Sequence, residues 1–262
     1  MRLSMIITTH ERPDALAVVL ASVRRQSRLP DELLIADDGS GPSTAAVIAA
    51  HAAQADYPTR HLRQVHQGFR VARLRNLALA AARGDYVVLL DGDMLLHPEW
   101  LADHVRAARR GCWVQGVRVP LDAALTQRVL NDGLAPPPFA QGLGLLRRAY
   151  LWHAPSLQTV LAPLGNLLVA VKACNQGFWL DDLRDANGFD EYIEGWGPED
   201  KELCARLANA GIRRRTLLGG GIAWHLAHPP APRDRRGIGA AVLRETLRSG
   251  RTRCARGLDG HA

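Results

Sequence analysis

The residues best suited to chemistry are Asp91 and Asp93, which flank Gly92 at the end of the run Tyr86-Val87-Val88-Leu89-Leu90. An apolar, β-branched run of this kind reads as a buried parallel strand. In open α/β sheets, ligands bind beyond the carboxyl ends of the strands. Two carboxylates at such an end, separated by a glycine that lets a ligand come close, suit a hard divalent cation completed by phosphate oxygens. The competing reading is a surface turn, for which Asp-Gly is a common dipeptide.

A second cluster is Glu194-Gly195-Trp196-Gly197-Pro198-Glu199-Asp200. Pro198 at a helix start places Glu199 and Asp200 in the first turn, where the helix dipole favours carboxylates. Glycines on both sides leave the Trp196 indole free to project as a flat face for a sugar ring. An ionised carboxylate beside it can accept a proton from a substrate hydroxyl. The plainer alternative is an ordinary acidic helix start. The third feature is Trp224-His225-Leu226-Ala227-His228, after a Gly-Gly-Gly turn. A histidine at a strand end can complete a metal site begun by an aspartate. The His-x-x-His spacing also suggests zinc, but no third soft ligand is near in sequence. Neither G-x-x-x-x-G-K-[ST] nor a strand-to-helix G-x-G-x-x-G is present, which argues against P-loop and dinucleotide chemistry.

These residues need elements to carry them. Strand patterns at Leu3–Ile7, Leu33–Ala36, about His61–Val65 and Tyr86–Leu90 alternate with helical ones. The helices are expected from Pro13, with Leu16, Val19, Leu20 and Val23 on one stripe, over Ser43–Gln54, and over about Ala72–Arg83. Such alternation predicts a mostly parallel α/β sheet with right-handed crossovers. A helix over Pro98–Arg110, one strand over Cys112–Val119 and a strand over Asn166–Val171 are expected next. Helices over Asp181–Asn187 and Glu199–Ala210 follow, then strands over Ile212–Leu218 and Gly221–Trp224. Residues 120–165, with Pro136-Pro137-Pro138, read as a mobile insertion. No internal repeat is found.

The formal charge is +7 over 262 residues. From Arg233 to Arg256 there are eight arginines against Asp234 and Glu245, so the basic character sits in a carboxyl-terminal segment. Residues 233–262 read as a basic tail containing one amphipathic helix, Gly237–Leu247, with Ile238, Val242 and Leu243 on a face. Contact with an anionic membrane surface, or a simple solvated tail, is expected of it rather than nucleic acid, since interleaved aromatics are missing. No apolar run nears the roughly 20 residues needed to span a bilayer, and the amino terminus reads as a strand, with no signal peptide. A cytoplasmic location, peripheral at most to the membrane, is the expectation. Cys112, Cys174, Cys204 and Cys254 form no C-x-x-C pair and fit buried, reduced thiols.

Taken in order, Ile6-Ile7-Thr8-Thr9-His10-Glu11-Arg12-Pro13, Ala36-Asp37-Asp38-Gly39-Ser40, Arg73-Leu74-Arg75-Asn76 and Leu90-Asp91-Gly92-Asp93 resemble the nucleotide-sugar-binding half of family 2 glycosyltransferases. Asn187-Gly188-Phe189-Asp190-Glu191 and Gly195-Trp196-Gly197-Pro198-Glu199-Asp200 resemble the carboxyl-terminal part of β-1,4-galactosyltransferases and bacterial chondroitin polymerases. The resemblance covers roughly Leu3 to Pro229. It implies the GT-A fold: a Rossmann-like, mostly parallel central sheet flanked by helices, with a smaller acceptor-side portion. One domain over 1–232 would then comprise a nucleotide-sugar half (1–119), the insertion (120–165) and an acceptor and catalytic half (166–232).

The resemblance further implies roles. Thr8, His10, Glu11 and Arg12 would lie by the nucleoside, and Asp38 would bond uracil. Arg70 or Arg73 would face the base or diphosphate, with the choice open, and Asp91 would contact ribose or donor sugar. Asp93 and His225 would hold a divalent metal, manganese favoured over magnesium, with His228 the less favoured ligand. Trp196 and Gly197 would meet donor or acceptor sugar, Glu199 would orient substrate, and Asp200 would be the base. The function implied is inverting, metal-dependent transfer of a hexose or N-acetylhexosamine from a UDP-sugar to a glycan or lipid-linked acceptor, in cell-surface polysaccharide or lipopolysaccharide synthesis. Rival readings are a metal-dependent phosphatase or nucleotidyltransferase, and a sugar-binding module that keeps the fold without catalysis. Histidine at position 10 and glutamate at 11 depart from the aromatic and asparagine frequent there in the family.

Overall fold

The computed structural model describes residues 1–136, 152–154, 168, 170–229 and 236–261. Its centre is a seven-stranded sheet. The first half of the chain supplies β1 (Leu3–Thr9), β2 (Glu32–Asp37), β3 (Thr59–Arg63) and β4 (Tyr86–Asp91). These are mutually parallel in the order β3-β2-β1-β4. Between them run α1 (Pro13–Arg24), α2 (Pro42–Ala52) and α3 (Val71–Ala81). Order reverses beside β1, and registers Thr9↔Asp37 and Thr8↔Asp91 bring the three strand ends to one edge. That is the switch point at which α/β sheets bind ligands.

Apolar residues point to both faces because both are covered. Leu3, Met5, Ile7, Val88 and Leu90 meet Leu16, Val19 and Leu20 of α1. Ile6, Leu34, Val87 and Leu89 meet Leu74, Ala78 and Leu79 of α3 on the other side.

Beyond β4 the chain departs from the simple alternation. After β5 (Met94–Leu96) and α4 (Trp100–Ala107), the single strand expected over Cys112–Val119 is two. β6 (Cys112–Gln115) joins the large sheet, and β7 (Val117–Pro120) joins β5 and β10 (Ile222–His225) in a separate three-stranded sheet. Gly116 makes the break: a Cβ there would meet Asn175 Oδ1 at 2.1 Å. The strand expected over Asn166–Val171 falls partly outside the described residues; Leu168 and Ala170 are turn, and Val171 is not in a strand. The strand is instead β8 (Asn175–Trp179), antiparallel to both β4 and β6. Its polar start, Asn175-Gln176-Gly177, hides it from a hydrophobicity reading.

α5 (Ala123–Asp132) occupies the front of the stretch expected to be a mobile insertion. Asp122 caps it by accepting from the Leu125 amide at 2.8 Å, and Gly133 closes it at φ 65°. Most of the rest of that insertion lies outside the described residues. α6 (Leu180–Asp185), α7 (Glu199–Asn209) and β9 (Arg213–Thr216) follow close to expectation.

The arginine-rich end reads in sequence as an appendage, and the described residues 236–261 are not one. They form α8 (Arg236–Ser249) and a 3₁₀ turn (Leu258–His261). Cys254, Leu258 and Thr246 are buried. Several arginines answer carboxylates there; Arg251 lies 2.9 Å from both Asp190 and Glu202. All four cysteines are buried and unpaired. No helix among the described residues is long and apolar enough to cross a membrane.

Asn175 ties the two sheets. Its Nδ2 donates to the Val117 and Gly221 carbonyls (2.9 and 2.8 Å), which fixes the amide's orientation. Its Oδ1 then accepts from Trp100 Nε1 (3.1 Å) and His104 Nε2 (2.9 Å). Burial lowers the His104 imidazole to about 4, so the ring stays neutral and donates. Asn175→Ala takes the acceptor from two buried donors, Trp100 Nε1 and His104 Nε2, and a donor from each of two carbonyls, and is expected to cost about 3 kcal/mol or more in denaturant unfolding.

Candidate active site

The edge where β1, β2 and β4 end carries most of the residues singled out in sequence. Asp93 follows β4 by one turn residue. Gly92 is there for the fold rather than for ligand access: its amide donates to Thr8 O at 2.7 Å, and a Cβ would meet that oxygen at 3.0 Å. His225 is brought to Asp93 by strand pairing, since β10 lies antiparallel to β5 with His225 opposite Met94, and the Leu226 amide donates to Asp93 O (2.9 Å).

Asp93 Oδ2 lies 3.4 Å from His225 Nε2 and 3.2 Å from His228 Nε2. The two imidazole nitrogens are 3.3 Å apart. Burial would raise the Asp93 carboxyl, but the His225 hydrogen bond and the two imidazoles hold it below its usual value. Its Oδ1 is buried with no hydrogen-bond partner among the described residues. A buried carboxylate with one oxygen left without a donor, and the other beside two imidazole nitrogens, fits a divalent cation. His225 and His228 stand on equal footing in this geometry. Arg118, on β7, lies 3.1 Å from His225 Nδ1 and puts a fixed positive charge beside the cluster.

Next to it is a buried guanidinium. Arg75 Nη1 donates to Glu199 Oε1 (2.9 Å), and its Nη2 donates to Asp91 Oδ1 (3.3 Å). Thr8 Oγ1 donates to the same Asp91 oxygen at 2.9 Å. Asp200, next in α7, accepts from the Ala173 amide at 3.3 Å and the Lys201 amide at 2.7 Å. Burial, then the neighbouring Asp200 charge, pushes the Glu199 carboxyl up to about 7 against the pull of Arg75. Burial raises Asp200 as well, opposed by Arg75.

The other end of the edge centres on Asp38, whose oxygens accept from Gln64 Nε2 (2.6 Å) and His66 Nδ1 (2.9 Å). His10 bonds the Asp38 carbonyl through Nδ1 (2.9 Å) and stacks on His66 with ring centres 4.3 Å apart. Glu11 takes a left-handed conformation, φ 46°, that non-glycine residues rarely adopt. It is held by its amide donating to Ser40 Oγ (2.9 Å) and its Oε1 accepting from the Gly41 amide (2.8 Å). Arg12 pairs with Asp14 and contributes to the lowering of Asp93. Arg73 donates to Gln64 Oε1 at 2.9 Å and so backs Asp38 indirectly. Arg70 donates to Val65 O at 2.6 Å. Trp196 lies on the loop before α7, 37% exposed, and the Gly195 amide donates to Phe69 O at 2.7 Å. Gly197 packs on Ile193.

Arg75, Arg118, Gln64 and His66 were not among the residues expected from sequence. Arg75 left a usable signal. Ala72, Arg75, Asn76 and Leu79 fall at i, i+3, i+4, i+7, so an arginine and an asparagine sit on the buried face of α3. A cation on such a stripe requires an anion, whereas Arg70 and Arg73 lie off it.

The mostly parallel sheet with this switch-point edge is the fold of GT-A glycosyltransferases. The chain belongs to glycosyl transferase family 2, which it matches over residues 4–150. Residues 171–229 match the N-terminal domain of galactosyltransferase. Similar proteins include a hyaluronan synthase of Pasteurella multocida, 28% identical over 87% of this chain and 25% of its own. A chondroitin synthase of Escherichia coli is 27% identical over 87% of this chain and 35% of its own. The chain thus spans only a quarter to about a third of those relatives. Among solved structures, S. aureus TarS 1-349 in complex with UDP superposes with a TM-score of 0.63 at 16% identity, covering 87% of this chain and 61% of that one. Mannosyltransferase PcManGT from Pyrobaculum calidifontis, in complex with GDP-Man and Mn2+, gives 0.57 at 19% identity, covering 94% and 61%.

The Glu199 carboxyl is raised on folding, so the folded state keeps this proton to higher pH than the unfolded chain. Its contribution is most favourable below about pH 4.5 and is lost as pH rises towards about 7. Glu199→Gln is therefore expected to lose less stability than the parent between about pH 5 and about pH 8, by on the order of 1–3 kcal/mol, in chemical unfolding at both pH values.

Proposed function

We propose that this glycosyltransferase moves a hexose or N-acetylhexosamine from a UDP-sugar to a glycan or lipid-linked acceptor, with inversion at the anomeric carbon. The observation that carries the reading is the convergence of Asp93, His225 and His228 with the Arg75-linked carboxylates Asp91 and Glu199, next to Asp200. Asp38 would receive the uracil, with His10 and the Thr8–Arg12 turn along the nucleoside, and Asp91 would meet ribose or donor sugar. Asp93, His225 and His228 would hold the divalent cation, manganese for preference given the imidazoles, with magnesium the alternative. That cation supplies Lewis-acid stabilisation of the charge left on the departing diphosphate.

The chain's own residues would do the rest. Arg118 adds positive charge where the diphosphate carries its negative charge. Asp200 takes the proton from the acceptor hydroxyl as that oxygen forms its bond to the anomeric carbon on the face opposite the leaving phosphate. The glycosyl–phosphate bond breaks and UDP departs, so an α-linked donor yields a β-linked product. Hydrolytic enzymes need a second carboxyl as acid on the leaving oxygen; here the leaving group needs charge stabilisation rather than a proton, and one base suffices. Glu199, tied to Arg75, would orient substrate instead of transferring a proton. Trp196 offers a partly exposed indole face to a sugar ring.

The hyaluronan and chondroitin synthases among the relatives support a sugar-polymer or cell-surface setting. The exposed Ile238 and Leu247 of α8, among arginines, support peripheral contact with an anionic membrane in which a lipid-linked acceptor would lie.

Two substitutions separate base from metal ligand. Asp200→Asn is expected to lower transfer from a UDP-sugar by at least about 100-fold while UDP affinity measured by calorimetry changes little. Asp93→Ala is expected to abolish both transfer and the manganese dependence of UDP binding. Near-parental transfer by Asp200→Asn would remove the base assignment. Transfer surviving exhaustive chelation would remove the metal.

A further inference from the structure

The family matches end at residue 229, yet the segment beyond it touches both helices that carry the catalytic carboxylates and their cation. We infer that residues 236–261 brace the Gly195–Asp200 loop, with Gly239 of α8 as a positioning residue for the acceptor side of the site. The inference rests on the functional reading above for the catalytic role of Asp200 and for assigning that loop to the acceptor.

Three contacts make the brace. The first is steric. Gly239 lies against the loop so closely that a Cβ on it would meet Pro198 Cδ at 2.7 Å and Ile193 Cγ2 at 3.0 Å. Gly197 faces the same junction, where a Cβ would meet Ile193 Cγ2 at 2.7 Å. Pro198 immediately precedes Glu199 and Asp200, so whatever displaces it displaces the start of α7. Two glycines packed face to face allow the backbones to approach without side chains between them.

The second contact fixes α7 about its axis. Glu202, fully buried one turn along from Glu199, accepts from Thr246 Oγ1 at 2.7 Å and from Arg251 Nη2 at 2.9 Å. Arg206, on the same helix, also bonds Glu202, through Nε (3.0 and 2.9 Å) and Nη2 (2.8 Å). A carboxylate saturated by partners from two helices holds the rotation of α7, and with it the direction in which Asp200 points. The third contact reaches α3. His261 Nε2 lies 2.6 Å from Glu191 Oε1, which also accepts from Asn76 Nδ2 at 2.9 Å. Asn76 is the neighbour of Arg75. The carboxyl-terminal segment therefore spans from the helix bearing Asp200 to the helix bearing Arg75.

Displacing a catalytic group by about 1 Å can cost on the order of 100-fold in rate, so a brace of this kind acts on kcat and on acceptor KM, and leaves nucleotide affinity alone. The test uses the full chain with Gly239→Ala, Arg251→Gln, and Glu245→Ala as a control on the exposed face of α8. UDP affinity, kcat, acceptor KM, and amide hydrogen exchange over 193–200 are measured. Gly239→Ala is expected to speed exchange over 193–200 and to lower kcat/KM for acceptor by about 10-fold or more, with UDP affinity within about twofold of the parent. Arg251→Gln is expected to act in the same direction more weakly, and it decides the matter alone if Gly239→Ala does not fold. Unchanged exchange and kcat/KM, or a parallel loss of UDP affinity, overturns the brace. If exchange responds as expected but the parent transfers no sugar, the functional reading fails and the brace stands.

Discussion

The site depends on one buried cation. Arg75 is almost wholly out of solvent, and its guanidinium bridges Asp91, at the end of a strand in the first half of the chain, and Glu199, at the start of a helix in the second. Burial raises the pKa of both Glu199 and Asp200, and the Asp200 charge raises Glu199 further; Arg75 opposes the rise in each. Losing one member of such a buried pair typically costs about 3–5 kcal/mol, because the partner charge is left uncompensated. The guanidinium thus joins the two halves of the chain.

The rest of the architecture reads as support for this junction. The switch point of the large sheet lines up Thr8, Asp38 and Asp91. The small sheet exists to fold β10 back against β5, which delivers His225 to Asp93. Asn175, at the start of β8 in the large sheet, holds the small sheet to it by donating to the Val117 and Gly221 carbonyls. The carboxyl-terminal helix and 3₁₀ turn close the structure from behind, answering the buried acids Asp190, Glu191 and Glu202 with Arg251, His261 and Thr246. Basic residues that in sequence resemble a solvated run are, in part, the counter-charges of this acidic layer.

Much of the first half was legible in sequence because its signals are local. Apolar runs ending in acid mark β2 and β4, and the regular apolar stripe of α1 after β1 marks the first βα unit. The second half was harder for physical reasons. β8 begins with Asn175 and Gln176, buried only because hydrogen bonds satisfy them, so no alternation of apolar and polar residues announces it. The break at Gly116 is invisible without Asn175 beside it. α5 carried a capping aspartate and a closing glycine, but its neighbours rich in proline and glycine obscured them.

By itself, the sequence determined the α/β alternation, the placement of acids at strand ends and the pairing of Glu199 with Asp200 in a first helical turn. Each follows from residues within a few positions of one another. Tertiary structure alone decided which partners those acids meet. His225 and His228 come equally to Asp93 through antiparallel pairing of strands more than a hundred residues apart, and Arg75 rather than Arg70 or Arg73 reaches the carboxylates because it lies on the buried face of its helix. The arginine-rich end took its place in the fold because buried carboxylates, unstable alone, need cations and donors wherever the chain can supply them.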